Sequence, residues 1–236
     1  MIKVEVNEIA GFKSAIMAMR NPMNSWCKSD SAMCEKGRIG ECKNCSFYDA
    51  EEDICYSYDN EPVFVLGDND LKLMQNLTSA GVEHRTFARM IQVWVTIDAP
   101  LFWWKEMDRY TIGKTQVSCS TMHKIHAKQF ELNDFSVENI VGLEAHRAME
   151  AVINALNRAR EEYLNEADPV KKKEHWRTMI ELLPSSYNQK RTVNMTYEVC
   201  MKIWKERHNH KLSEWHTLCD FIMNLPYLKQ IMKVGD

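Results

Sequence analysis

The residues with the most chemical content lie between Ala99 and His126. Pro100 suits the first turn of a helix, because its missing N–H is not needed there. Phe102, Trp103, Trp104, Met107 and Tyr110 follow, with Lys105, Glu106, Asp108 and Arg109 among them. On a helix Glu106 and Arg109 share a face, as do Lys105 and Asp108. The run Ser118, Cys119, Ser120 and Thr121 then sets small hydroxyl and thiol side chains next to one another. Such groups, with the backbone N–H, suit close approach to a phosphate or a ring edge. The same residue types also fit a core helix followed by a polar loop.

A second cluster points to metal. Cys42 and Cys45 have the spacing of a chelating pair for tetrahedral zinc, and Cys34 and Cys55 complete four thiolates. Cys27 is a spare candidate, and free surface thiols are the alternative. Cys119, Cys200 and Cys219 read as reduced thiols, and Cys119 has only His123, four residues on, as a base. Elsewhere, Lys190 and Arg191 precede a predicted helix, where a phosphate is welcome. Asn194 in the interior of that helix is unfavourable by propensity and implies a polar partner. Arg207 and His210 face together if helical.

These residues sit in an ordinary globular composition. The 236 residues are 45% hydrophobic and 27% charged, with a formal net charge of −3, which points to neither nucleic acid nor membrane. No run approaches the ~20 apolar residues that span a bilayer. The first residues alternate like a strand and lack the apolar region of a signal peptide, so a cytoplasmic location is expected. Length and pattern fit a single domain over residues 1–236, with a cysteine-rich insert at 24–60.

The elements expected to position the candidates follow from periodicity. Residues 2–7 predict a strand and 10–20 a helix. Gly67–Asp70 caps a helix over 71–79 that Gly81 ends. Residues 90–98 alternate as a strand, and a helix starts at Pro100. Ser136 is the expected N-cap of a long helix over 137–166, broken at Asp168 and Pro169. A helix around His175–Leu183 ends at Pro184. Residues 185–191 read as a polar loop, followed by a helix carrying Val193, Tyr197, Cys200 and Trp204 and a last one carrying Trp215, Leu218, Cys219 and Ile222. About three strands and six helices make an α+β protein. No GxGxxG or GxxxxGK[ST] run is present.

In order along the chain, four segments resemble the flavin-dependent thymidylate synthase (ThyX) family. His84–Phe87 resembles the family's His-rich turn before a strand, and Val93–Pro100 resembles that strand, which ends in Ala-Pro. Trp104–Thr121 occupies the place of the signature, an Arg-His-Arg triplet followed seven residues later by Ser-Gly-Arg. Leu182–Asn194, continued through Arg207 to Trp215, resembles the C-terminal Leu-Pro, Thr-Val-Asn, Arg, His, Trp block. The likeness covers residues 80–125 and 180–220. The signature itself departs. Its triplet reads Arg109, Tyr110, Thr111, and the Ser-Gly-Arg position reads Cys119, Ser120, Thr121, without the nucleotide-binding arginine. Val117 stands where the family has an acidic residue, and the Asn194–Arg207 spacing is two residues longer than the family's.

The resemblance implies a small, mostly antiparallel sheet flanked by helices. It also implies a homotetramer with FAD bound between subunits and a pyrimidine deoxynucleotide beside the flavin. The family's reaction is reductive methylation at C5 of dUMP: reduced flavin supplies hydride, methylenetetrahydrofolate the carbon, and NADPH is a further co-substrate. Carried over by position, His84, Arg109 and Asn194 match flavin contacts, with Tyr110 and His210 assigned beside them. Glu106 stands where the family has a glutamine facing the nucleotide, and Arg207 matches an arginine serving it; these two are the catalytic candidates. Ser118, Cys119, Ser120, Arg191 and Arg207 form the substrate-binding set. Trp94, Trp103 and Trp104 offer more aromatic surface than one core readily absorbs, a second argument for an oligomer. The runner-up is a non-catalytic protein of this fold, a binding or assembly protein with a zinc-binding insert.

Overall fold

The structure, a computed structural model, describes residues 2–33, 48–49, 54–55 and 64–235. Strand β1 (Lys3–Ala10) leads into helix α1 (Phe12–Arg20). The short strands β2 (Ala32–Met33), β3 (Tyr48–Asp49), β4 (Ile54–Cys55) and β5 (Phe64–Val65) pair antiparallel, β2 with β5 and β3 with β4. There follow α2 (Asp68–Ala80), β6 (Gln92–Pro100), α3 (Leu101–Met107), β7 (Lys114–Ser118), α4 (Leu143–Asn165), α5 (Pro169–Leu182), β8 (Asn188–Thr196), α6 (Tyr197–Arg207), α7 (Ser213–Met223) and α8 (Leu228–Met232). The four-stranded sheet has the order β1-β6-β8-β7. The architecture is α+β, a small antiparallel sheet flanked by helices, as expected.

β6 follows its alternation. Ile91, Val93, Val95, Ile97 and Ala99 are fully buried, and Gln92, Trp94, Thr96 and Asp98 between them are half-buried, the period of a pleated strand. At Pro100 the chain turns into α3. The first N–H groups of a helix have no partner within it. Here Leu101 N donates to the Tyr187 carbonyl (3.0 Å) and Phe102 N to that of Ser185 (2.9 Å).

Three expectations are corrected. Residues 188–196 form a strand, β8, and not a loop and helix start, so Lys190, Arg191 and Asn194 lie on the sheet. The helical spacing of Val193, Tyr197, Cys200 and Trp204 holds only from Tyr197 on, where the Thr196 hydroxyl accepts from Val199 N (3.2 Å) and caps α6. The stiff side chains of Thr192, Val193 and Thr196 favour the extended chain. β7 arises where a polar loop was expected. Gly113 turns into it at φ +76, its carbonyl accepts from Thr196 N (3.1 Å), and a side chain there would crowd Thr196 and Val199. Finally, α4 begins at Leu143 with Gly142 as N-cap. Ser136 caps nothing and donates its hydroxyl to Asn188 Oδ1 (2.8 Å). At the other end, Asp168 and Pro169 open α5, where the Asp168 carboxylate accepts from Val170 N (2.9 Å).

The chain divides into two compact units. The first comprises Met1–Glu5, Val95–Thr111 and Thr115–Val193, the second Val6–Trp94, Ile112–Lys114 and Asn194–Asp236. β6 and β8 each contribute residues to both. In the first unit Leu156, Ala159 and Met149 of α4 pack with Met179 of α5 and with Ile125, Phe130 and Phe135. In the second, the Phe12 ring meets Tyr197 and Tyr227 edge-on at 5.5 and 5.8 Å. Tyr197 donates its hydroxyl to the Pro226 carbonyl (2.9 Å), and burial raises its pKa well above the usual phenol value. Trp103 and Trp104 are fully buried, so they offer no surface for an oligomer. No helix among the described residues is long and apolar enough to cross a membrane.

Candidate functional site

In the first unit one candidate, Arg191, is held by several side chains at once. Arg191, on β8, sits over the Trp104 indole with 4.2 Å between Cζ and the ring centroid. Its Nε donates to Gln189 Oε1 (2.9 Å) and its Nη1 to Asp108 Oδ1 (2.8 Å). Gln189 is itself fixed, with its Nε2 donating to the Cys119 carbonyl (2.8 Å) and its own carbonyl accepting from Trp104 Nε1 (2.9 Å). Cys119 N donates to the Lys190 carbonyl (2.9 Å), which ties the end of β7 to β8. Gln116 Nε2 also donates to Asp108 Oδ1 (2.7 Å). Arg191 is thus held by stacking, hydrogen bonding and charge together.

Part of the Ser118–Thr121 run is already committed. Ser120 Oγ accepts from Met122 N (3.2 Å) and His123 N (2.8 Å), closing a turn. The Cys119 thiol is exposed. Glu106 is half-buried in the last turn of α3, and Tyr110 is buried. Arg109 follows the end of α3 and is exposed, with no side-chain partner among the described residues. Beside this group, burial and the Asp134 charge push the Tyr187 hydroxyl up to about 12.

The second unit holds the remaining candidates. Arg207 ends α6 with its guanidinium 4.7 Å over the Trp215 ring, and His210 meets the same ring edge-on at 6.1 Å. His210 Nδ1 accepts from Leu212 N (3.2 Å), and its carbonyl accepts from His216 Nε2 (2.6 Å). Cys219, buried nearby on α7, has its thiol pushed up to about 12 by burial and Asp220, against the pull of Arg207. Asn194 Nδ2 is buried with no hydrogen-bond partner among the described residues. An unsatisfied buried donor is costly, so such a group calls for a partner.

His84 is exposed, 4.0 Å from Glu83. Its neighbour Arg85, missed in the sequence, is buried and grips Glu198 with two bonds, Nε to Oε2 (2.7 Å) and Nη2 to Oε1 (3.0 Å). Gln189 and Asp108 were missed as well. Only the Lys190–Arg191 pair hinted at this stretch of chain, and nothing local marks the glutamine or the aspartate as its partners. Cys34, Cys42 and Cys45 lie outside the described residues, as does the side chain of Cys55, so the zinc expectation falls there. Among the described residues no group of three or more metal-ligating side chains occurs.

The sheet order and its helices define an α+β class in which solved structures of similar fold exist. Two crystal structures of Helicobacter pylori thymidylate synthase X (ThyX), both with FAD and dUMP, are similar to this chain. Each has a TM-score of 0.62 and 14% identity, over 98% of this chain and 97% of that chain. The fold is therefore ThyX-like over nearly the whole length. No family model and no curated protein matches the sequence.

Proposed function

We propose that this protein is a flavin-dependent transferase of the thymidylate synthase type, acting at C5 of a pyrimidine deoxynucleotide, dUMP or a related nucleotide. The observation that carries the reading is the Asn194 amide nitrogen, buried with no hydrogen-bond partner among the described residues. It stands at a position that the resemblance assigns to a flavin contact, in a chain whose fold is that of proteins crystallised with FAD and dUMP. The residues fit the group: a buried donor awaits an acceptor, and Arg109 offers an exposed cation without a side-chain partner among the described residues.

When bound, FAD supplies the hydride and methylenetetrahydrofolate the one-carbon unit, with NADPH as reductant. The chain's own work is binding and orientation. Asn194, Arg109, His84, Tyr110 and His210 hold the cofactor, and Arg207 and Glu106 face the nucleotide. The Trp215 ring packs against the Arg207 guanidinium, so less of its rotamer freedom is lost when a ligand binds. A homotetramer belongs to this proposal. Its support is exposed apolar surface, with Val141 at 89%, Val117 at 75% and Leu143 at 64% exposure in the first unit. The four clustered cysteines are proposed to hold zinc.

Two observations favour a second reading, a non-catalytic binding protein of this fold. The signature arginine is Thr121 here, and Ser120 is spent on a turn. The visible spectrum decides between the two. Purified protein is expected to be yellow, with flavin bands that dithionite bleaches. Colourless protein that takes up no added FAD overturns the enzyme reading and leaves the binding protein.

A further inference from the structure

The pair Arg191–Asp108 has a feature that neither the fold nor the signature explains. Arg191 is a cation with only 12% of its side chain exposed. Trp104 lies against its guanidinium, and its Nε is held by Gln189, itself buried at 6% exposure. Two of the five guanidinium N–H groups are used, one by Gln189 and one by Asp108. Nη2 has no partner among the described residues. Its counter-ion is held quite differently. Asp108 lies in the turn after α3 with 44% of its side chain exposed, and Gln116 is a further tether, through Nε2. One member of the pair is enclosed in a frame, and the other is the more exposed of the two.

We propose that Arg191 is the receptor for the phosphate of a phosphate monoester, and that Asp108 is its resident counter-ion, displaced when the ester binds. The proposal rests on the nucleotide reading above and deepens it, because it supplies from β8 the cation that the signature lacks at Thr121. A phosphate dianion carries twice the charge of a carboxylate and three acceptor oxygens. It therefore engages Nη1 and Nη2 together and outcompetes Asp108, whereas a neutral or weakly charged ligand does not. Ser118, at the end of β7 and next to the Cys119–Lys190 link, has an exposed hydroxyl that no described residue engages. Asp108 thereby sets a charge threshold on what binds, keeping Arg191 neutralised until a dianion arrives.

The test is calorimetry on the full chain with dUMP, inorganic phosphate and deoxyuridine, using wild type, Arg191→Ala, Arg191→Lys and Asp108→Asn. Circular dichroism and melting confirm that each variant folds. Arg191→Ala is expected to weaken dUMP and phosphate by roughly ten- to a hundredfold, with Arg191→Lys intermediate. Asp108→Asn keeps the shape of the side chain and removes the competing charge, so it is expected to tighten both by roughly tenfold. Deoxyuridine should respond to neither substitution. Unchanged or weaker phosphate binding in Asp108→Asn, or unchanged binding in Arg191→Ala, overturns the proposal, and so does a wild type that binds no phosphate species. FAD uptake, read separately by absorbance, distinguishes the failures. A wild type that takes up FAD while phosphate ignores Arg191 sinks only this proposal. One that binds phosphate through Arg191 but takes up no FAD sinks only the flavin reading.

Discussion

Arg20 Nε donates to Asp70 Oδ1 at 2.6 Å, with the two side chains 4% and 0% exposed. The second oxygen of the same carboxylate accepts from Ser31 Oγ (2.6 Å), Ser29 Oγ (2.7 Å) and the backbone N–H groups of Ser31 (3.1 Å) and Asp30 (3.2 Å). Asp30 returns the favour at the start of α2, accepting from Asn69 N (2.8 Å) and Asp70 N (3.1 Å). α1, the 29–31 turn and α2 are thereby locked together beside the β2–β5 pair, where the chain enters and leaves its cysteine-rich stretch.

Asp70→Asn keeps the shape and removes the charge. It leaves Arg20 buried without a counter-ion, which costs about 3–5 kcal/mol in comparable buried pairs. Thermal unfolding at pH 7 should show a correspondingly lowered midpoint. A midpoint within a degree of wild type means the pair contributes nothing.

The same carboxylate predicts acid sensitivity. Burial opposes its charge, but the Ser31 and Ser29 hydroxyls and the Arg20 guanidinium outweigh that and hold its pKa below the usual carboxylate value. A depressed folded pKa stabilises fully above the unfolded value of about 3.9, and the contribution is lost as pH falls through the folded value. In urea titrations from pH 7 to 2, the gap between wild type and Asp70→Asn should be constant above about pH 5 and shrink below pH 4. A gap independent of pH contradicts the assignment.

Arg85 and Glu198 offer a second structural test. The pair is bidentate, with side chains 7% and 14% exposed, and Glu198 sits in the first turn of α6, where a negative charge is welcome. Arg85→Ala should cost about 2–3 kcal/mol. The double variant with Glu198→Ala should cost clearly less than the two single changes added, since it leaves no charge stranded. Simple additivity would show that the two side chains act independently.

Arg207 and Arg109 should separate two phenotypes. Arg207→Ala in FAD-loaded protein is expected to weaken dUMP by ~1.5–3 kcal/mol, roughly ten- to a hundredfold. Arg109→Ala should instead lower the flavin absorbance per mole of protein. Calorimetry and the visible spectrum measure the two effects independently, and a single shared phenotype contradicts the assigned roles.

The cysteine set Cys34, Cys42, Cys45 and Cys55 should carry one zinc per chain, because a polar stretch of this length has no core of its own to hold it. Elemental analysis of protein purified without chelator measures this. Cys42→Ser should lose the metal and some stability while residues 80–220 still fold. Metal-free wild type overturns the proposal.

The sequence by itself determined the parts whose signals are local. Alternating Ile91–Asp98 is a strand because its pattern has the pleat's own period. Gly67 and Gly81 bound α2, and Pro100 turns the chain into α3, because caps and fixed φ values act within one turn of the chain. The polar character of residues 24–60 and the four resembling segments were legible in the same way. Tertiary structure decided the rest. Whether 188–196 is helix or strand depends on β6 and β7 lying on either side of it, and a strand's hydrogen bonds go to partners its own sequence does not name. Arg191 and Asp108 are 83 residues apart, and Arg85 and Glu198 are 113 apart. No spacing rule reaches that far, so only the packed chain shows that Arg191 meets Asp108 and that Arg85 grips Glu198.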